Sequence, residues 1–163
     1  MKRLLCTSFG LGLLPKAPGT WGSLLPLAIV LGCGHFGIVQ GWLIGILFAL
    51  VIFSSIVTVQ LAPWYAEYFG KKDPPQVVSD EVAGQSIALL AIAWLEPSIH
   101  DSSNIWIGLA VYAFALFRLF DIWKPVIIDK SQHLHAGWGV LMDDILAGIF
   151  AGILVLIAAI LLT

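Results

Sequence analysis

From Leu24 to Ala66 the chain runs 43 residues without a single Asp, Glu, Lys or Arg. A water-soluble surface cannot be built from such a stretch, whereas a membrane crossing needs about 20 apolar residues. The run therefore predicts two membrane helices, with Gly32-Cys33-Gly34-His35 and Gln40-Gly41 marking a turn between Gly32 and Gly41. Three further apolar runs, Val82–Leu95, Ser102–Phe117 and Ile145–Thr163, hold 14, 16 and 19 uncharged residues. The expected fold is an all-α integral membrane protein, a small bundle of about five transmembrane helices with the first short or re-entrant. Nothing resembles a linker, so residues 1–163 form one domain.

Composition points the same way. Hydrophobic residues make up 60% and charged residues 11%, against about 45–50% and about 25% in a soluble domain. This excludes a soluble globular protein, a disordered chain and a nucleic-acid binder of the basic-patch kind. Cys6 and Cys33 are too few for a disulfide framework and lack the paired spacing of a zinc site. The apolar stretch after Lys2-Arg3 is too short for a signal peptide and is broken by Gly10, Gly12, Pro15 and Pro18, so the N-terminus is expected to be retained. Lys2, Arg3 and Lys16 precede the first span, Lys71 and Lys72 follow the second, and Arg118, Lys124 and Lys130 surround the connection from fourth to fifth. The positive-inside rule then puts all eight on the cytoplasmic side, with Glu96 and Asp101 opposite.

Most of the ten acidic residues fall on that same side. Asp80-Glu81 and Asp143-Asp144 stand at the starts of the third and fifth spans, where helix N-termini favour negative charge. Capping accounts for one carboxylate per helix. Two adjacent acids at each of two membrane helices ask for more, because ionised groups near a bilayer are costly and usually functional. The pentapeptides beginning at Asp80 and Asp144 both read D-x-x-A-G, which sets a glycine one turn after each aspartate on the same face. Small residues there let helices approach closely, so the echo suggests two packed helices with acidic ends side by side. Carboxylates so gathered repel unless a cation lies between them, and an all-oxygen donor set favours Mg²⁺ over zinc.

Arg118, Asp121 and Lys124 are spaced by three and share a helix face that Pro125 ends. They read either as interface anchors with Asp121 as their ion-pair partner, or as a fourth carboxylate beside cations that hold a phosphate. The Gly/Pro-rich segment Gly10–Ser23 offers Lys16, Thr20 and Ser23 at a helix start as a cradle for an anion, with a plain re-entrant turn as the alternative. His133 and His135 lie before Asp143, as acid–base groups or simply solvated; His35 and His100 are remote from the acids.

Four ordered blocks resemble the phosphatidylglycerophosphatase A family: Pro18-Gly19-Thr20-Trp21-Gly22-Ser23; Asp73-Pro74 through Asp80-Glu81 to Gly84; Phe117-Arg118 through Asp121 to Lys124-Pro125; and Gly137 through Asp143-Asp144 to Gly148. The loop Val126–Ser131 is loosely worded, which leaves Asp129, Lys130 and His135 without a role. The resemblance implies a Mg²⁺-dependent lipid phosphatase of the bacterial cytoplasmic (inner) membrane, active at the cytoplasmic face, that converts phosphatidylglycerophosphate to phosphatidylglycerol. It implies Asp80, Glu81, Asp121, Asp143 and Asp144 as metal-binding and catalytic positions; Lys16, Thr20, Ser23, Arg118 and Lys124 are the expected substrate-binding residues. The expected partners are the lipid substrate and the bilayer, with no nucleic acid and a homo-oligomer left open. A small ion-coupled transporter is the competing reading, since acids at membrane helices also mark ion pathways.

Overall fold

The computed structural model describes residues 1–95, 103–125, 128 and 137–162. Asp129, Lys130, His133 and His135, like Glu96, His100 and Asp101, lie outside the described residues. Every regular element among those described is helical: α1 (Lys2–Cys6), a 3₁₀ turn (Leu11–Leu13), α2 (Pro18–His35), α3 (Gln40–Gln60), α4 (Ala62–Phe69), α5 (Ser79–Ala93), α6 (Ser103–Trp123) and α7 (Gly137–Leu162). The boundaries follow local chemistry. Pro18 opens α2, where its missing N–H costs nothing. The turn foreseen between Gly32 and Gly41 is the short link from α2 to α3. Leu61 breaks α3 from α4, and Gly70, with φ 70°, closes α4 in the left-handed conformation that glycine adopts freely.

Three helices are long and apolar enough to cross a membrane: α3, α6 from Ile105, and α7. Their outward faces carry exposed Ile52, Phe53 and Ile56 on α3, Ile107 and Val111 on α6, and Ile149, Ile153, Ile157 and Ile160 on α7. Such a belt suits lipid and would be untenable in water. The 18-residue α2 and the 15-residue α5 are not among the three. At 15 residues α5 is short for a crossing, and it packs on α2, α3, α6 and α7 with none of its residues exposed. An apolar run of this length reads as a span, yet its apolar surroundings are other helices. It forms the axis of the bundle.

Close approach fixes that axis. A side chain at Gly84 would collide with the backbone carbonyl of Asp144 and the ring of Phe117, and one at Gly148 with the carbonyl of Gly84. The two D-x-x-A-G segments therefore cross backbone to backbone, as their echo suggested. Polar ties hold the ends. The hydroxyls of Thr58 and Ser79 share a hydrogen bond of 2.7 Å between α3 and the start of α5. At the other end Gln40 Nε2 donates to the carbonyls of Ala93 and Leu95, at 2.8 and 2.9 Å. Ala93 is the last residue of α5 and Leu95 lies just past its end, so Gln40 ties down the C-terminus of that helix, where backbone carbonyls lack intrahelical partners.

Candidate active site

The starts of α2 and α5, the second turn of α7 and the end of α6 meet at one end of the bundle. Between them is a cavity of about 180 Å³ lined by all five predicted acids, Asp80, Glu81, Asp121, Asp143 and Asp144, with Asp73 and Lys124. Helix α7 begins at Gly137, so Asp143 and Asp144 lie inside that helix and not immediately before it, where the apolar run alone put them. Asp80, Asp143 and Asp144 are each only 4% exposed, and Glu81 is half-buried. Burying so many carboxylates is costly unless each meets a positive charge or a proton.

The five divide into two groups. Asp80, Glu81 and Asp144 converge: one oxygen from each lies within 4.8 Å of the others. Asp80 Oδ1, Glu81 Oε2 and Asp144 Oδ1 are buried with no hydrogen-bond partner among the described residues. Three converging carboxylates, each with one buried oxygen left without a partner among the described residues, fit a hard divalent cation and supply no nitrogen or sulfur for a softer one. The other two acids hold cations of the chain itself. Asp121 pairs with Arg118 at 2.5 Å, and Lys124 Nζ donates to Asp143 Oδ2 at 2.6 Å. Burial lowers the affinity of the Lys124 ammonium for its proton, but the bond to Asp143 and the charges of Asp143, Asp144 and Asp121 outweigh it and hold the group above its ordinary range. Lys124 also has φ 44°, an uncommon backbone for a lysine, just after α6 ends and before Pro125.

The glycine-rich segment reaches this site through two residues. Ser23 Oγ donates to the carbonyl of Gly19 at 2.8 Å and accepts a long bond, 3.5 Å, from Arg118 Nη1. Gly19 lies so close that a side chain there would overlap Glu81 Oε1 and the Arg118 guanidinium. Arg118 is thereby wedged between α2, Glu81 and Asp121. Of the substrate-binding residues expected from the sequence, Ser23, Arg118 and Lys124 come together at the acids. Of these three, Lys124 lines the cavity, while Arg118 and Ser23 stand behind its wall, Arg118 paired with Asp121 and Ser23 bonded to Arg118. Thr20 is half-buried and Lys16 exposed, and neither lines the cavity. Sequence reasoning passed over Gly19 as a contact and Asp73 as a lining residue, although both stand in the quoted blocks. It also passed over Tyr65 and Gln85, two wholly buried side chains whose polar atoms have no partner among the described residues. No motif marks either.

A bundle of apolar helices with a polyacidic, cation-seeking centre at one end, rimmed by an arginine and a lysine, is a membrane protein equipped to handle a phosphorylated group. The comparisons narrow this class: the chain belongs to the phosphatidylglycerophosphatase A family, whose profile matches residues 4–159. It is 35% identical to a phosphatidylglycerophosphatase A of Escherichia coli, over 93% of this chain and 80% of the relative. It is 39% identical to one of Haemophilus influenzae, over 93% and 85%. A Bacteroides thetaiotaomicron protein provisionally named a phosphatidylinositol-3-phosphatase is 37% identical over 95% of this chain and 91% of its own length. No solved structure matches the chain.

Proposed function

We propose that this protein is a Mg²⁺-dependent phosphatidylglycerophosphatase of a bacterial inner membrane, hydrolysing the terminal phosphate of phosphatidylglycerophosphate at the cytoplasmic face. The observation that carries the reading is the convergence of Asp80, Glu81 and Asp144, oxygens unpartnered, beside Arg118. The names of the Escherichia coli and Haemophilus influenzae relatives supply the substrate. A lipid substrate also suits the architecture, because its tails remain in the bilayer while the phosphate meets the helix ends.

Asp80, Glu81 and Asp144 would hold the Mg²⁺. Held by these carboxylates, a divalent cation would supply charge compensation for the phosphoryl oxygens as phosphorus is attacked. The chain's own residues do the rest. Arg118 presents a planar set of donors that can grip two phosphate oxygens together. Asp121 and Ser23 hold that guanidinium in place, and Asp143 does the same for the Lys124 ammonium, a point charge at the opposite rim. Over the whole reaction an oxygen of water ends bonded to phosphorus, the bond from phosphorus to the glycerol oxygen breaks, and the proton that water gives up is balanced by the one that oxygen takes. Positioning and charge compensation are what such a transfer chiefly requires.

A transporter reading finds less support, since the acids gather at one end of the bundle and not midway along it. The experiment is phosphate release by the purified protein in detergent from phosphatidylglycerophosphate, beside phosphatidylinositol 3-phosphate. Release from the first at ten times the rate of the second or more supports the proposal. The reverse preference would move the chain toward the activity in the Bacteroides relative's name, and no release from either would overturn the phosphatase reading.

A further inference from the structure

Tyr65 is the largest side chain buried completely in this protein, yet its hydroxyl has no hydrogen-bond partner among the described residues. It belongs to α4, whose first residue, Ala62, sits against Gly137 at the start of α7, so the helix lies at the acidic end of the bundle. The ring packs in a small cluster with Cys6, Val57, Ala62 and Val77. Val77 is also a wall of the acidic cavity, and Asp80 follows it by three residues. A tyrosine hydroxyl is a hydrogen-bond donor near neutral pH, and burial, with the charges of Asp80, Asp73 and Cys6 behind it, only raises its pKa further. Asp80, which lines that cavity with Val77, has in Oδ1 a buried acceptor without a donor among the described residues.

A buried hydroxyl without an acceptor is unfavourable, and phenylalanine would fill the same space at no such cost. An oxygen kept there, beside an unserved carboxylate, points to use. We propose that Tyr65 is a positioning residue for the metal-holding carboxylates, its hydroxyl donating to Asp80 and so fixing which oxygens that carboxylate turns toward Glu81 and Asp144. Support of this kind around metal ligands typically changes affinity by about 10–100-fold. The inference rests on the divalent-cation reading of the three acids, and its test separates the two.

The test compares wild type, Tyr65→Phe and Val57→Ala in detergent, measuring Mn²⁺ affinity by electron paramagnetic resonance and thermal stability on the same samples. Val57→Ala loosens the same cluster but keeps the hydroxyl. The expected result is Mn²⁺ binding about tenfold weaker in Tyr65→Phe, with stability equal to or above wild type, and unchanged affinity in a less stable Val57→Ala. Equal affinity in wild type and Tyr65→Phe would overturn the role of Tyr65 alone. So would an equal weakening in Val57→Ala, which would reduce the effect to packing. Wild-type protein that binds no Mn²⁺ would overturn the cation site and the inference with it.

Discussion

Arg118 is held by two different elements, Ser23 of α2 and Asp121 of its own helix, and both its guanidinium and Glu81 border the space that Gly19 leaves open. Lysine at this position keeps the charge but cannot reach both partners with one ammonium. A hydrogen bond to a charged group contributes about 1.5–3 kcal/mol, so Arg118→Lys is expected to slow phosphate release about 10- to 100-fold while the melting temperature in detergent changes little. Gly19→Ala tests the same spot from the other side. Its new methyl meets the ends of flexible side chains, not backbone, so the protein should still fold while Arg118 and Glu81 are pushed aside; kinetics read this as a large loss of rate with stability retained. Lys124→Met removes the partner of a nearly buried Asp143 and should destabilise the protein by about 1–3 kcal/mol. Adding Asp143→Asn should recover part of that stability, as a thermal-melt double-mutant cycle would show.

At the scale of elements, the site depends on how closely α5 and α7 cross. Gly84→Ala and Gly148→Ala each drive a methyl into a backbone carbonyl, which cannot rotate away. Overpacking of this kind costs about 1–3 kcal/mol or more. Because the crossing sets the gap from Asp80 and Glu81 to Asp144, both variants should lose stability and activity together, whereas Gly45→Ala in α3, where a side chain meets open space, should lose neither. This crossing was legible in the sequence: a glycine one turn after an aspartate, twice, specifies both the contact and what it brings together. The pairing of cations was not. Spacing by three puts Asp121 between Arg118 and Lys124, but Lys124 leaves the helical path at φ 44° and turns to Asp143 on another helix. Tyr65 carried no signal either, since an aromatic in a short apolar helix looks the same whether its hydroxyl is used or idle.

For the whole molecule, hydropathy identified the class and the helices, because a 43-residue uncharged stretch admits few other folds. What hydropathy does not distinguish is an apolar face against lipid from one against protein. The buried α5 shows the difference: it reads as a span and serves as the axis around which longer helices pack. That arrangement gives the acids a rigid backing and leaves their open side at the bundle end. The proposed orientation predicts that a cysteine introduced at position 72, in a background lacking Cys6 and Cys33, reacts with an impermeant thiol reagent from the inside only; reaction from the outside would overturn that orientation.

The central claim is that Asp80, Glu81 and Asp144 act as one divalent-cation site on which phosphate release depends. The most direct measurement is the rate of release from phosphatidylglycerophosphate as Mg²⁺ is removed by chelation and restored, for wild type and for Asp80→Asn, Glu81→Gln and Asp144→Asn. Wild-type activity should fall to background and return with Mg²⁺, while each variant stays at least about 100-fold slower at every concentration, a loss of about 2.7 kcal/mol in transition-state stabilisation. Asp121→Asn and Asp143→Asn should lose rate through Arg118 and Lys124 yet keep the wild-type Mg²⁺ dependence. Full activity in the chelated protein, or in any two of the three variants, would contradict the claim.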